Sequence, residues 1–280
     1  MLSSALPVPA LRACARAFAA LQFRWSPGRR DAVLANLERI AEAGHPHLAD
    51  PPARRLAARR MFEAHQLGWI EYLGGTASRK RAAEYRLSGT EHLYRAVANG
   101  RGAVLSVPHL GNWELIGLAL TRLGFRVHTV TGVQIHPSVT REVRALKERD
   151  GVRVSTPEDG FLPLVAALRS GGIVALMADG DVFSRSLPAE FFGRRVEFPA
   201  GPAILARRAR VPIVHGHAVR TETGRHFISF DGVDEPDLSL ALRDDLDRLT
   251  ARVARTLERS IAAHVTQWCI FRPLWNSDAG

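Results

Sequence analysis

The sequence predicts an α/β fold: a central, mostly parallel sheet flanked by helices and preceded by basic amphipathic N-terminal helices. Three observations predict it. Residues 1–88 show helical periodicity with no strand-like run. From Gly89 onward, short β-branched runs alternate with helical segments, the pattern of a layered fold with parallel pairing. The chain's 280 residues, 46% of them hydrophobic, are enough for one sizeable core. The chain therefore reads as one domain over 1–280, with a basic helical segment at 1–88 and an α/β core at 89–280.

In the leading segment, Leu11, Cys14, Phe18, Leu21 and Trp25 recur at steps of three and four, so they share a helix face with Arg12 and Arg16 off it. Such a face suits either a lipid surface or the protein's own core. Two more helices are predicted at 30–43 and 52–74, parted by a break that holds Pro46, Pro51 and Pro52. Strands are predicted at 103–107, 126–130, 173–177, 212–218 and 226–230, with helices at 90–98, 113–122, 139–149, 161–169 and 202–209. A long helix fills 240–264, where Leu242, Leu246, Leu249, Val253, Leu257 and Ile261 form a core-facing stripe.

Lys+Arg 38 against Asp+Glu 28 gives a formal net charge of +10. Residues 1–90 contribute +7 of it, from 14 basic and 7 acidic side chains. This bias suits an anionic membrane surface or nucleic acid. Cys14 and Cys269 lie far apart without metal-ligand spacing, so neither a disulfide framework nor a zinc finger is indicated. Arg12, Arg16 and Arg24 interrupt the leading apolar stretch, which excludes a transmembrane reading, and no cleaved signal is expected.

The 103–107 strand runs through Pro108 into His109, with Glu114 about one turn into the following helix. A histidine at a helix start is kept neutral by the positive end of the helix and suits a general base. Glu114 is the expected orienting carboxylate, and the backbone around Gly111 and Asn112 a source of oxyanion donors. Asp179 and Asp181 follow the 173–177 strand at the carboxyl end, where α/β proteins place ligand groups. Phe192, Gly193 and Arg194 set an aromatic and a guanidinium beside a flexible residue, suited to holding an apolar group and an anion. His215 and His217 share a strand face and read as satisfied strand histidines; no metal site is expected.

Three separated motifs resemble the lysophospholipid acyltransferase superfamily, in the branch of the bacterial lipid A acyltransferases and the phosphatidylinositol mannoside acyltransferases. They are PHLGNWE at 108–114, MADGDVFSRSLPAEFFGRRVEFPAGPAILA at 177–206 and TQWCIFRPLW at 266–275. The resemblance implies transfer of a fatty acyl group from acyl-CoA or an acyl carrier protein thioester to a hydroxyl of a membrane glycolipid or lysolipid. His109 would be the base and Glu114 would complete a relay, with no covalent acyl-enzyme and no cofactor beyond the donor. Asn112, Asp179, Asp181, Phe192, Gly193 and Arg194 would bind substrate, as would a base among Arg144, Lys147 and Arg149. Gln134 stands where the mannoside enzymes carry a glutamate. The implied setting is the cytoplasmic face of a bacterial inner membrane, peripherally bound.

Two other classes compete. A basic nucleic-acid-binding protein fits the net charge, but no binding signature of that class appears, and the bases after residue 90 are interleaved with acids. A hydrolase using His109 on water lacks the G-x-S-x-G of its common forms.

Overall fold

Three helices lead the chain, α1 (Val8–Trp25), α2 (Pro27–Glu42) and α3 (Pro51–Leu73), in a computed structural model that describes residues 8–73, 84–132, 136–180 and 185–275. Prolines open α2 and α3, at positions where the missing N–H has no intrahelical acceptor. The face by which α1 packs is Leu11, Ala15, Ala19 and Phe23, spaced by four. The Phe23 ring meets Phe62 of α3 edge-on at 5.4 Å, under the guanidinium groups of Arg55 and Arg59.

Of the stripe read from the sequence, only Leu11 is buried. Phe18, Leu21 and Trp25 are 55%, 38% and 69% exposed, and Cys14 is exposed as well. Two apolar faces compete on this helix, and the one built on alanines wins the core because small residues let helix axes approach closely. Core packing therefore does not account for the larger face.

Beyond the helices come β1 (Tyr85–Ser88), α4 (Thr90–Val97), β2 (Ala103–Val107), α5 (Glu114–Arg122), β3 (Val127–Val130), α6 (Pro137–Arg149) and β4 (Val152–Ser155). Then follow α7 (Leu162–Arg169), β5 (Ile173–Met177), β6 (Ser186–Phe191), β7 (Arg194–Pro199), α8 (Gly201–Ala209), β8 (Ile213–Arg220), β9 (His226–Asp234) and α9 (Leu242–Ala263). Seven strands form one sheet in the order β1-β9-β8-β2-β5-β3-β4, every pair parallel except β8 with β9. The α/β fold with a mostly parallel sheet is thus what the chain adopts.

Helices cover both faces of the sheet. Leu93, Leu115 and Leu120 of α4 and α5 pack with Leu105 and Ile173 on one side. On the other, Leu164 and Leu257 of α7 and α9 join Phe62 and Leu37 of the leading helices in a core shared with Val174 and Leu176. Buried on both faces, β2 is apolar but for Ser106, whose hydroxyl meets His215 Nδ1 at 2.7 Å; a buried polar group needs such a partner.

The hairpin of β6 and β7 is where the sequence shows only a flexible turn. Phe192 and Gly193 sit at its tip with φ of 50° and 68°, the left-handed pair that a two-residue hairpin requires. Glu258 of α9 holds Phe192 there by accepting its backbone N–H at 2.6 Å.

Candidate active site

Strands β2 and β5 pair with Val107 opposite Met177. Two residues beyond that pair, at the carboxyl edge of the sheet, His109 and Asp179 meet. The His109 Nδ1 lies 2.7 Å from Asp179 Oδ1, and the His109 backbone N–H donates to Oδ2 at 2.9 Å. The Trp268 indole donates to the same Oδ2 at 2.8 Å. Burial alone would raise the Asp179 pKa, but the adjoining His109 and the hydrogen bonds from His109 and Trp268 outweigh it and hold the carboxyl below its ordinary range. An ionised Asp179 accepts only, so Nδ1 of the ring carries a proton and Nε2 is the nitrogen left to exchange one. Trp113 stands edge-on to the ring at 5.1 Å. A Cβ at Gly180 would stand 3.1 Å from His109 Cε1, so glycine there makes room for the imidazole.

The C-terminal segment locks this loop. Gly111 N–H donates to Gln267 O at 2.9 Å, Cys269 N–H to His109 O at 2.7 Å, and Leu110 N–H to Pro108 O at 2.7 Å. Gly111 has φ +61°, and a Cβ there would fall 2.1 Å from Ala218 O, which leaves glycine as the residue that fits. The Gln267 side chain clasps Arg220 through its backbone N–H and C=O, both at 2.8 Å. For Gly111 these bonds correct the expectation: its N–H, like those of His109 and Leu110, is already engaged and is not free for an oxyanion.

Glu114 does not reach the imidazole Nδ1, which Asp179 holds. Its Oε2 lies 2.9 Å from Lys147 Nζ, with both side chains largely buried. Of the three candidate bases Arg144, Lys147 and Arg149, Lys147 is therefore the one turned to the site. Arg144 pairs with Glu148 on the outer face at 2.8 Å, and Arg149 is exposed. Asn112 is buried and donates to Glu71 Oε2 at 3.1 Å, so it joins the scaffold behind the loop. The same Glu71 binds Arg220 at 3.0 and 2.5 Å and His226 at 3.2 Å.

Phe192, Gly193 and Arg194 form the hairpin tip behind Asp179, not a wall of the cavity. Phe192 is buried against Trp268 and Trp275, and Arg194 pairs with Glu42 at 3.1 Å. His215 and His217 are held by Asp234 and Asp231 at 2.9 and 2.6 Å. Asp181 and Gln134 lie outside the described residues.

A cavity of about 240 Å³ opens beside His109. Trp69, Trp113, Glu114 and Lys147 contribute to its walls, and it continues between α5 and the sheet, past Thr129 and Ala175. Thr129 spends its hydroxyl on Ala175 O at 2.9 Å, which keeps this wall from presenting an unpaired donor. His65 also lines the cavity, and its Nε2 accepts from the Trp69 indole at 3.0 Å. Burial, with the charges of Arg29 and His109, pushes the His65 pKa down to about 4, so its ring is neutral near pH 7. Cys269 reaches the cavity too, but burial pushes its thiol well up, which makes it a poor nucleophile.

A family model described as bacterial lipid A biosynthesis acyltransferase matches residues 1–277. The chain belongs to that family. Among similar proteins are phosphatidylinositol mannoside acyltransferases of Mycobacterium tuberculosis (strain ATCC 25618 / H37Rv), 29% identical over 196 residues, and of Mycolicibacterium smegmatis (strain ATCC 700084 / mc(2)155), 28% identical over 193. These matches cover 69% and 67% of this chain, and the chain spans 60% and 61% of the length of those relatives. In this member of the acyltransferase family, the first motif supplies the histidine, the second its carboxylate and the third the tryptophan that fixes the carboxylate. Asp179 as the partner of His109, Trp268, His65 and Trp69 are the site residues whose positions sequence reasoning missed. The equal two-residue overhang of His109 and Asp179 beyond their strands was the available signal for the first.

Proposed function

We propose that this protein is a membrane-surface O-acyltransferase that moves a fatty acyl group from an acyl thioester to a hydroxyl of a glycolipid or lysolipid. The observation that carries the reading is His109, held through Nδ1 by a buried Asp179, at the mouth of a cavity that runs between α5 and the sheet. The acceptor hydroxyl attacks the thioester carbonyl while Nε2 of His109 takes its proton. Collapse of the tetrahedral adduct expels the thiolate, which recovers that proton from the imidazolium. Asp179 orients the ring and stabilises its charged form, and Lys147, fixed by Glu114, is the nearby cation able to face the developing oxyanion. No residue becomes acylated, and no cofactor besides the donor takes part.

The donor is acyl-CoA or an acyl carrier protein thioester, and the family and the phosphatidylinositol mannoside acyltransferases among its relatives support the acceptor class. The exposed Phe18, Leu21 and Trp25 of α1, flanked by Arg16 and Arg24, support peripheral attachment to an anionic bilayer. No described helix is long and apolar enough to cross one. We place the protein on the cytoplasmic face of a bacterial inner membrane.

The test incubates purified protein with bacterial lipid fractions and mixed acyl-CoA and acyl carrier protein thioesters, beside His109→Ala, and reads lipid masses. A gain of one acyl chain with wild type alone is expected and identifies donor and acceptor together. Thioester hydrolysis without transfer favours a thioesterase. If wild type leaves thioesters untouched while binding duplex DNA rather than anionic liposomes, the proposal falls.

A further inference from the structure

Gly117 lies inside α5, three residues after Glu114, and lines the cavity. Glycine within a helix is less favourable than alanine, so its presence calls for a reason. Backbone geometry gives none, because Gly117 is not among the residues with positive φ. Close backbone approach gives none either. A Cβ at Gly117 would meet one atom from another element within 4 Å, Val152 Cγ2 at 3.2 Å, whereas at Gly102 or Gly111 it would strike backbone.

Val152 opens β4 opposite Val127, the first residue of β3, and Val127 in turn is level with Ile173 of β5. Ile173 lies four residues before Met177, which pairs with Val107 just ahead of His109. At a rise of about 3.3 Å per residue, the Val127–Val152 level is roughly 13 Å along the sheet from the reacting end. Gly117, Val127 and Val152 all line the cavity. Gly117 and Val152 thus nearly meet at the end of the cavity remote from His109, and a side chain at 117 would press on Val152.

We infer that the Gly117–Val152 contact sets the length of acyl chain this protein transfers, an inference that rests on the acyltransferase reading. A side chain at 117 closes the distal end, and a smaller one at 152 deepens it. Methylene groups with no place in an apolar pocket cost about tenfold or more each in kcat/KM.

The experiment offers full-length wild type, Gly117→Ala, Gly117→Val, Val152→Ala and Gly117→Ala/Val152→Ala an even-numbered C8 to C18 acyl-CoA series. Chains added to a bacterial lipid extract are read by mass, and melting temperature with each acyl-CoA gives an acceptor-free readout. Gly117→Val is expected to move both optima at least two carbons shorter and to lower kcat/KM for the longest wild-type substrate at least about tenfold. Val152→Ala should move them longer, and the double variant should return toward the wild-type profile. A folding defect would lower transfer of all chain lengths alike and leave the optimum where it was. Should wild type transfer acyl groups while all variants keep its optimum, the inference is overturned and the function stands. Failure of wild type to transfer any chain from acyl-CoA or from the same series on acyl carrier protein, with no stabilisation by any acyl-CoA, would overturn the two together.

Discussion

His109 is useful because of what its neighbours deny it. Asp179 occupies Nδ1, Gly180 leaves space at Cε1, and the Gln267–Cys269 segment fixes the backbone, so the ring keeps one orientation and one free nitrogen. His109→Ala should lower turnover by about 10³-fold or more, with little change in melting temperature. Asp179→Asn should come close to that loss, since a neutral amide no longer selects the tautomer with Nε2 free, although the shape is preserved. Glu114→Gln should cost less than either, because Glu114 acts through Lys147. Steady-state rates on one donor and acceptor check the order; a Glu114→Gln loss matching that of Asp179→Asn would reinstate Glu114 as the relay. Gly180→Ala tests the steric part: a rate loss with unchanged donor KM is expected as the Cβ displaces the ring. The place of His109 was legible in sequence because an apolar strand gives way there to a helix start. Its partner was not, because which carboxylate faces it depends on β2 and β5 being neighbours, a fact of sheet order that no local pattern encodes.

Among the elements, the same contrast between local and non-local information runs through the fold. The strands at 103–107 and 173–177 were legible to the residue because central strands, buried on both faces, read as unbroken apolar runs. Tyr85–Ser88 and Val152–Ser155 were not, since four residues at a sheet edge carry too little alternation. The hairpin was missed because its tip relies on Glu258, 66 residues away in sequence. Helix α1 is the instructive element: periodicity marked an apolar stripe, and packing then chose the neighbouring face that shares Leu11 with it, leaving Phe18, Leu21 and Trp25 outward. A side chain of this size gains about 1.5–3 kcal/mol on leaving water. Phe18→Glu and Trp25→Glu should therefore each weaken binding to phosphatidylglycerol vesicles by about tenfold or more, with melting temperature unchanged, as sedimentation with vesicles measures. Equal vesicle binding by wild type and both variants would assign the membrane contact to another surface.

For the whole molecule, two buried groups give stability a two-stage dependence on pH. Glu71 joins α3 to β8, β9 and the loop before α5 through Arg220, His226 and Asn112. Burial would raise its pKa, but the hydrogen bond from His226 and the charge of Arg220 prevail and set it at about 2, against an ordinary 4.5. As pH falls below 4.5 the unfolded chain takes up this proton before the folded one, so stability drops between about 4.5 and 2. His65 is held at about 4, against an ordinary 6.5, chiefly by burial and then by the charges of Arg29 and His109. Here again the unfolded chain protonates first, and stability is lost between about 6.5 and 4. Each group contributes a slope of up to about 1.4 kcal/mol per pH unit within its window. Denaturant unfolding at stepped pH should show wild type weakening from 6.5 downward. His65→Gln should flatten the curve between 6.5 and 4.5 while leaving the acid limb in place. Glu71→Gln should be less stable already at pH 7, by about 3 kcal/mol, because Arg220 and His226 lose their shared carboxylate, and its decline below 4.5 should be shallower. Parallel curves for all three proteins would mean that neither proton is taken up differently on folding, and the electrostatic account of how the leading helices are joined to the sheet would have to be abandoned.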